Sequence, residues 1–181
     1  MRERVLILHG WGGSDFPHWQ SRLASEVAKE YGCVSFLKFS NFDFPQKDVW
    51  MQELLQEMQE FKPTVVVCHS LANILWFHLC NDAKIASVKK LFLVAPPSLS
   101  CDIVELKSFY PCKVPDALNA KNALLVVSTN DPYMSLDEAK ELQKSLNVPI
   151  KIIENGGHIN TASGFGEWKW IFEAIKEPQL S

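Results

Sequence analysis

Apolar runs of strand length alternate with stretches of helical periodicity along the whole chain, a pattern that predicts βαβ units and a mostly parallel sheet. The predicted strands are Arg4 to Leu8, Val34 to Phe39, Thr64 to Cys68, Lys90 to Ala95, Ala123 to Ser128 and Ile150 to Ile153. Each runs into a loop rich in Gly, Pro, Ser, Asn or Asp. Between them, Trp19, Leu23 and Val27, and then Met51, Leu54, Leu55 and Met58, recur at helical spacing, so each set marks a helix with one face on the sheet. Ser135 and Glu138 have the spacing of a capping box ahead of Leu136, Ala139 and Leu142. Trp168, Ile171, Phe172 and Ile175 form the apolar stripe of a final helix.

Two segments depart from this rhythm. Leu71, Ala72, Ile74, Leu75, Trp76, Phe77 and Leu79 leave little polar face, which predicts the most buried helix of the molecule. The stretch from Pro96 to Asn122, with Pro96, Pro97, Pro111 and Pro115, lacks clear periodicity. Long loops in compact domains are usually functional, so it is expected to form a small lid. The chain of 181 residues reads as one domain, 1–181, with this lid-like insertion at about 96–122.

Composition narrows the setting. Hydrophobic residues make up 47% and charged residues 22%, as in ordinary soluble globular proteins. The net charge of -3 and the pI near 6.0 provide no basic footprint for nucleic acid or an anionic membrane. The apolar stretch after Met1-Arg2-Glu3-Arg4 is too short for a signal-peptide core, and no other run is long enough to span a bilayer. Cys33, Cys68, Cys80, Cys101 and Cys112 are odd in number and lack zinc-site spacing, so free thiols in a reducing cytoplasm are expected.

Candidate chemistry centres on Thr64-Val65-Val66-Val67-Cys68-His69-Ser70-Leu71-Ala72-Asn73, where a β-branched run stops at a serine and an apolar helix begins at once. A serine at the tip of such a turn has its hydroxyl pushed out above the sheet, with the next backbone N–H groups aimed at whatever the oxygen attacks. The alternative use of Ser70 is a plain helix N-cap. A serine nucleophile needs a base, and the base needs an acid to hold its tautomer. Asp131, in Ser128-Thr129-Asn130-Asp131-Pro132, and His158, in Gly156-Gly157-His158-Ile159-Asn160, both lie just beyond predicted strands. In doubly wound sheets such positions converge on the site. The order Ser70, Asp131, His158 is that of nucleophile, acid and base in α/β-hydrolases. Taken singly, Asp131 also reads as a turn residue before Pro132 and His158 as a polar loop residue.

Other titratable groups have less suitable places. His69 adjoins the serine and points away from it, so it supports the turn or lines the pocket; His78 reads as a hydrogen-bonded core histidine, His18 as a helix-entry residue, and Glu154 as the reserve acid. Cys68 is expected in the core. For the oxyanion, Leu71 N–H follows the nucleophile at a helix start, and Trp11 N–H in His9-Gly10-Trp11-Gly12-Gly13-Ser14 is the second candidate donor. That loop fits no nucleotide-binding fingerprint. Trp11, Trp19, Phe42 and Phe44 are candidates for an apolar acyl pocket, with core packing as the alternative.

His9-Gly10-Trp11-Gly12-Gly13, Cys68-His69-Ser70-Leu71, Ser128-Thr129-Asn130-Asp131-Pro132-Tyr133, and Gly157-His158-Ile159-Asn160 with Gly164-Phe165-Gly166-Glu167-Trp168 resemble the small α/β-hydrolases of the YdeN and retinoblastoma-binding-protein-nine family. The resemblance covers nearly the whole chain. It implies a three-layer α/β-hydrolase fold: a six-stranded parallel sheet in the order 2-1-3-4-5-6, helices on both faces and a minimal lid. It also implies a serine hydrolase of small esters, with Ser70 as nucleophile, Asp131 as acid and His158 as base. Such chemistry needs neither metal nor organic cofactor, and the expected partner is a small-molecule ester. Cys68 and Ala72 depart from the usual Gly-x-Ser-x-Gly turn. A protein-binding module with a vestigial site is therefore the competing reading, and a thioesterase or acyltransferase would use the same three residues.

Overall fold

The structure is a computed structural model that describes residues 3–30 and 32–178. Its strands are β1 (Arg4–Leu8), β2 (Cys33–Leu37), β3 (Val65–His69), β4 (Val88–Val94), β5 (Ala120–Ser128) and β6 (Ile150–Ile153), all parallel in one sheet ordered β2-β1-β3-β4-β5-β6. The helices are α1 (Trp19–Lys29), α2 (Lys47–Phe61), α3 (Leu71–Asp82), α4 (Leu136–Leu146) and α5 (Lys169–Lys176).

The period-2 alternation of the strands sorts the interior into two layers. Val5, Ile7, Val65, Val67, Phe92, Val94, Leu124 and Val126 face the layer closed by Trp19, Leu23 and Val27 of α1 and Ile171 and Ile175 of α5. Their neighbours Leu6, Leu8, Val66, Cys68, Leu91, Leu93, Leu125 and Val127 face the other layer, closed by α2, α3 and α4. Helices thus cover both faces, which is why the central strands read as continuous apolar runs. β3 is buried throughout, and α3 buries Leu71 to Phe77 without a break, as its missing polar face predicts.

Strand boundaries shift where side-chain bonds outweigh apolar pattern. β2 ends at Leu37 rather than Phe39, because Phe39 N–H leaves the ladder to donate to His9 Nε2 at 3.0 Å. β4 begins at Val88, and β5 at Ala120. The early part of β5 carries the exposed, polar Lys121 and Asn122, so its pairing leaves no apolar signature. The connection between β4 and β5 therefore spans 95–119, and it contains a 3-10 turn, Val104–Phe109, whose Leu106 and Phe109 are buried. Lys90, inside the sheet, reaches the end of α5 and donates from Nζ to Ile175 O at 2.7 Å and to Glu177 O, satisfying carbonyls that helix geometry leaves open.

The chain runs from β1 outward to β2 and then back across to β3, so the order of strands reverses between β1 and β3. Loops leaving the two strands diverge there and open a crevice at their carboxyl ends. Both His9–Ser14 and the Ser70 turn border it. Among the described residues no helix is long and apolar enough to cross a membrane.

The capping box of α4 is present: Ser135 Oγ accepts from Glu138 N–H at 3.3 Å, and Glu138 Oε2 accepts from Ser135 N–H at 2.9 Å. Glu138 also accepts from Ser98 Oγ, which ties the cap to the root of the β4–β5 connection. These bonds hold the Glu138 carboxyl below its usual range, the Ser135 hydroxyl contributing most. A depressed carboxyl stabilises the fold above its unfolded pKa, and that share is lost as pH falls through the folded value. Ser135→Ala should cost about 1 kcal/mol in urea unfolding at neutral pH. The difference from the parent protein should narrow in acid, once Glu138 is protonated.

Candidate active site

Parallel strands β1 and β3 lie side by side, so the turn that follows β3 is crowded by the loop that follows β1. Ser70 takes a left-handed backbone, φ 55 and ψ -125, which is strained for a residue with a side chain. Its N–H donates to Val94 O at 3.0 Å. Gly10 presses against the turn so closely that a Cβ there would sit 2.6 Å from Ser70 Cβ and 3.1 Å from Leu71 N. The small residue that close approach requires is thus supplied by the neighbouring loop. Cys68 and Ala72, at the turn's usual glycine positions, are both fully buried and packed in the α2–α4 layer. Burial pushes the Cys68 thiol well above its usual pKa range, which leaves it an inert core group.

Three strand-end loops meet at the turn. His158 Nε2 lies 2.9 Å from Ser70 Oγ, and His158 Nδ1 lies 3.0 and 2.9 Å from the two carboxylate oxygens of Asp131. With Nδ1–H donated to the carboxylate, Nε2 is left as the acceptor for the serine hydroxyl. Asp131 Oδ1 also accepts from Tyr133 N–H at 2.9 Å, and the Tyr133 ring stands edge-on to His158 with centroids 4.5 Å apart. The acid and base loops are joined through Asn130, whose Oδ1 accepts from Gly157 N–H at 2.7 Å. Glu154, the reserve acid, is exposed.

The two candidate donor peptides are each fixed through the carbonyl on their other side. Gly10 O accepts from His9 Nδ1–H at 2.7 Å and from Gly13 N–H at 3.3 Å. Because His9 Nε2 accepts from Phe39 N–H, Nδ1 is the protonated nitrogen. Ser70 O accepts from Asn73 N–H at 3.0 Å and from Asn73 Nδ2 at 2.8 Å, and the same amide donates to Val94 O. In a trans peptide the N–H points opposite to the C=O, so these bonds aim Trp11 N–H and Leu71 N–H. Neither N–H has a protein acceptor among the described residues. The positive end of α3 adds to the field at Leu71.

A cavity of about 110 Å³ opens at these groups, lined by Trp11, Ser70, Leu71 and His158 together with Pro97, Cys101, Ile103, Leu106, Tyr133 and Asn160. Of the four aromatic residues considered for an acyl pocket, Trp11 alone lines it. Trp19 is buried in the α1–α5 layer, Phe42 packs under the Gly13 backbone, and Phe44 is exposed. The larger hollow of about 560 Å³ between Ser87, Leu118 and Pro149 lies at the opposite, amino end of the strands, and none of Ser70, Asp131 and His158 lines it.

Sequence reasoning passed over His9, Asn73 and Asn130, each of which bonds at least one backbone group distant in sequence: Phe39 N–H, Val94 O and Gly157 N–H. A polar Asn73 within an otherwise apolar helical run was the available signal. His78 Nε2–H donates to Phe109 O at 2.8 Å, and His18 caps α1 by accepting from Gln20 N–H at 3.2 Å. Burial keeps three other histidines neutral: it lowers His9, takes His18 down to about 4, and holds His69 well below the usual range.

The serine hydrolase family profile matches residues 5–177. This chain belongs to the serine hydrolase family. Among solved structures, the serine hydrolase is similar to the ydeN gene product of Bacillus subtilis, with a TM-score of 0.84 at 20% identity over 96% of this chain and 97% of that one. It is similar also to a YdeN-like hydrolase of Pectobacterium atrosepticum, with a TM-score of 0.77 at 20% identity over 96% and 89% of the two chains. An esterase domain from Rhodothermus marinus gives a TM-score of 0.66 at 12% identity over 96% and 84%. Likeness at these identities carries the fold, and it agrees with the YdeN resemblance of the motifs. No curated protein matches the chain.

Gly10→Ala should destabilise the protein by about 1–3 kcal/mol in urea unfolding, because the new Cβ meets the Ser70 turn rather than open space. Acid should destabilise it through the histidines. Below about pH 6.5 the unfolded chain binds protons that buried, neutral histidines refuse, so stability falls as pH falls. Each such group contributes roughly 1.4 kcal/mol per pH unit until its folded pKa is reached. His18→Asn, which retains an acceptor for Gln20 N–H, should flatten the slope between pH 6.5 and 4 by one histidine's share, read from unfolding midpoints.

Proposed function

We propose that this serine hydrolase cleaves small carboxylic esters through an acyl-enzyme intermediate, with Ser70 as nucleophile, His158 as general base and Asp131 as the acid that orients it. The observation that carries the reading is the unbroken hydrogen-bond run from Asp131 through both nitrogens of His158 to Ser70 Oγ, ending in a cavity. Ser70 Oγ attacks the ester carbonyl while its proton passes to His158 Nε2. The Asp131 carboxylate stabilises the imidazolium through Nδ1–H. Negative charge on the carbonyl oxygen is met by Trp11 N–H and Leu71 N–H. The C–O bond to the leaving alcohol then breaks, and His158 returns its proton to that oxygen. Water enters, gives a proton to His158 and attacks the acyl carbon. The bond between the acyl carbon and Ser70 Oγ then breaks, His158 returns its proton to that oxygen, and the carboxylic acid leaves.

Cavity size and lining support a small, uncharged acyl group: Leu71, Pro97, Ile103 and Leu106 supply apolar surface, and no carboxylate, ammonium or guanidinium group lines the space. The segment 96–119 acts as the minimal lid, since Pro97, Cys101, Ile103 and Leu106 all come from it. The mechanism requires no cofactor. The intact relay speaks against a vestigial binding module, because disuse removes the selection of three mutually oriented side chains. The esterase named among the structural neighbours fits the same reading.

Ser70→Ala should lower turnover of a short-chain p-nitrophenyl ester by about 10⁶-fold while leaving the circular dichroism spectrum intact. Asp131→Asn should lower kcat by about 10⁴-fold, because the amide favours the wrong imidazole tautomer. A fluorophosphonate probe should label Ser70 in the parent protein and not in Ser70→Ala. Turnover retained by Ser70→Ala would remove the assignment.

A further inference from the structure

The candidate base sits on a loop that its own sequence does not hold. It follows β6, a four-residue edge strand, and contains only a three-residue 3-10 turn, Thr161–Ser163. Four of its residues lie in the left-handed region: Asn155 at φ 52, Gly157 at φ 54, Ile159 at φ 49 and Gly164 at φ 88. Ile159 is β-branched, and for such a residue that backbone is an outlier that persists only where surroundings enforce it.

Two consecutive carbonyls of this loop are gripped by side chains from the N-terminal half of the chain. His69 Nε2–H donates to His158 O at 3.0 Å, and Trp19 Nε1–H donates to Ile159 O at 2.7 Å. His69 is the last residue of β3, directly before the nucleophile. Trp19 is the first residue of α1. Their rings touch edge to face, centroids 5.6 Å apart and planes at 90°, so each fixes the other's direction. Both are buried. Trp19 N–H adds a third bond, to Phe165 O at 3.1 Å.

We propose that His69 and Trp19 are positioning residues that hold the His158 loop in its strained register and so set the approach of the imidazole to Ser70. This rests on His158 being the base. The two adjacent residues His69 and Ser70 bond to the carbonyl and the ring of the same His158, at 3.0 and 2.9 Å. Two-point attachment fixes the orientation of the imidazole as well as its distance, and it does so without relaying position through β4, β5 and β6. A donor is all that the carbonyl requires of residue 69. Neutral imidazole provides one at Nε2 without placing a second cation beside the base. The bonds to Gly157 N–H and His158 N–H, from Asn130 and Ser163, tie the loop only to the C-terminal half.

The test is steady-state hydrolysis of p-nitrophenyl butyrate and the rate of fluorophosphonate labelling, for His69→Phe, His69→Gln and Trp19→Phe. His69→Phe removes the donor and keeps a ring, and should lower kcat and the labelling rate by about 10²-fold with KM unchanged, as misplacement of a reacting group by a fraction of its contact distance does. His69→Gln, which can return an N–H near the same point, should recover most of that loss. Trp19→Phe keeps an aromatic ring, loses the N–H together with part of the indole, and should move kcat in the same direction, with faster hydrogen exchange in 157–164. Wild-type kcat in His69→Phe or in Trp19→Phe overturns the proposal. So does a Gln variant as slow as the Phe variant at equal melting temperature. If His69→Phe does not fold, Trp19→Phe decides alone. A parent protein that labels at Ser70 beside variants that label as fast rejects this inference and leaves the proposed reaction standing, whereas a parent protein that does not label rejects both.

Discussion

Two parallel strands, β1 and β3, stay paired to their carboxyl ends and force a tight steric fit where the turn after β3 meets the loop after β1. The turn after β3 has to stop a strand, start a helix and leave a hydroxyl outside, all within one left-handed residue, Ser70. It can do so only because Gly10 lacks a side chain where it meets Ser70 Cβ. The usual glycines of such turns are absent, and Cys68 and Ala72 fit because their small side chains pack inward against α2 and α3. Close packing on one side and a bare backbone on the other fix the direction of the hydroxyl.

Strain in this protein is placed rather than scattered. Lys62 and Asn147 are left-handed as the C-caps of α2 and α4, an ordinary use of that conformation. Ser70, Ala95, Asn155 and Ile159 have no such role and follow the carboxyl ends of strands, while Asn41 lies in a turn after β2 and Asn119 directly precedes β5. Each strained residue of this kind costs on the order of 1–3 kcal/mol, and the cost is offset by a core in which both sheet faces are covered. Side-chain donors supply the local restraint: Asn73 at Ser70 O, His9 at Gly10 O, His69 and Trp19 at the loop that carries His158. Rigid strands deliver the chemistry to one rim, and buried polar side chains trim its final angles.

The division also explains what the sequence discloses. Strand and helix alternation is legible because each face of the sheet meets one apolar layer, so periodicity maps directly onto burial. The Ser70, Asp131 and His158 positions are legible because strand ends in this topology converge, and their order along the chain limits the choices. The trimming residues are hidden for a different reason. His9 sits at a strand end and Trp19 shares a helical stripe with Leu23 and Val27, so local context assigns both to the core, while His69 reads only as a support of the turn or a pocket lining. They are in the core. Their additional bonds reach backbone carbonyls up to 140 positions away, which no window along the chain can register. Ile103 and Leu106 of the β4–β5 connection escape for the converse reason, since a 3-10 turn imposes no long apolar period.

The crowd of imidazoles near Ser70 raises a question of charge that burial answers. In the proposed reaction His158 becomes a cation each time Ser70 is deprotonated. The centroid of His69 lies only 5.1 Å from that of His158. At an effective dielectric of 20, two unit charges at such a distance repel by about 3 kcal/mol. A cationic His69 would therefore slow attack by more than about a hundredfold. Its burial prevents this, because a desolvated imidazole with only a carbonyl to face has no counter-charge to stabilise a proton. His18 is kept neutral in the same way, while Asp131 gives His158 alone the carboxylate that an imidazolium needs. Four histidines can thus share one corner of the molecule with only one of them able to carry the charge of the reaction.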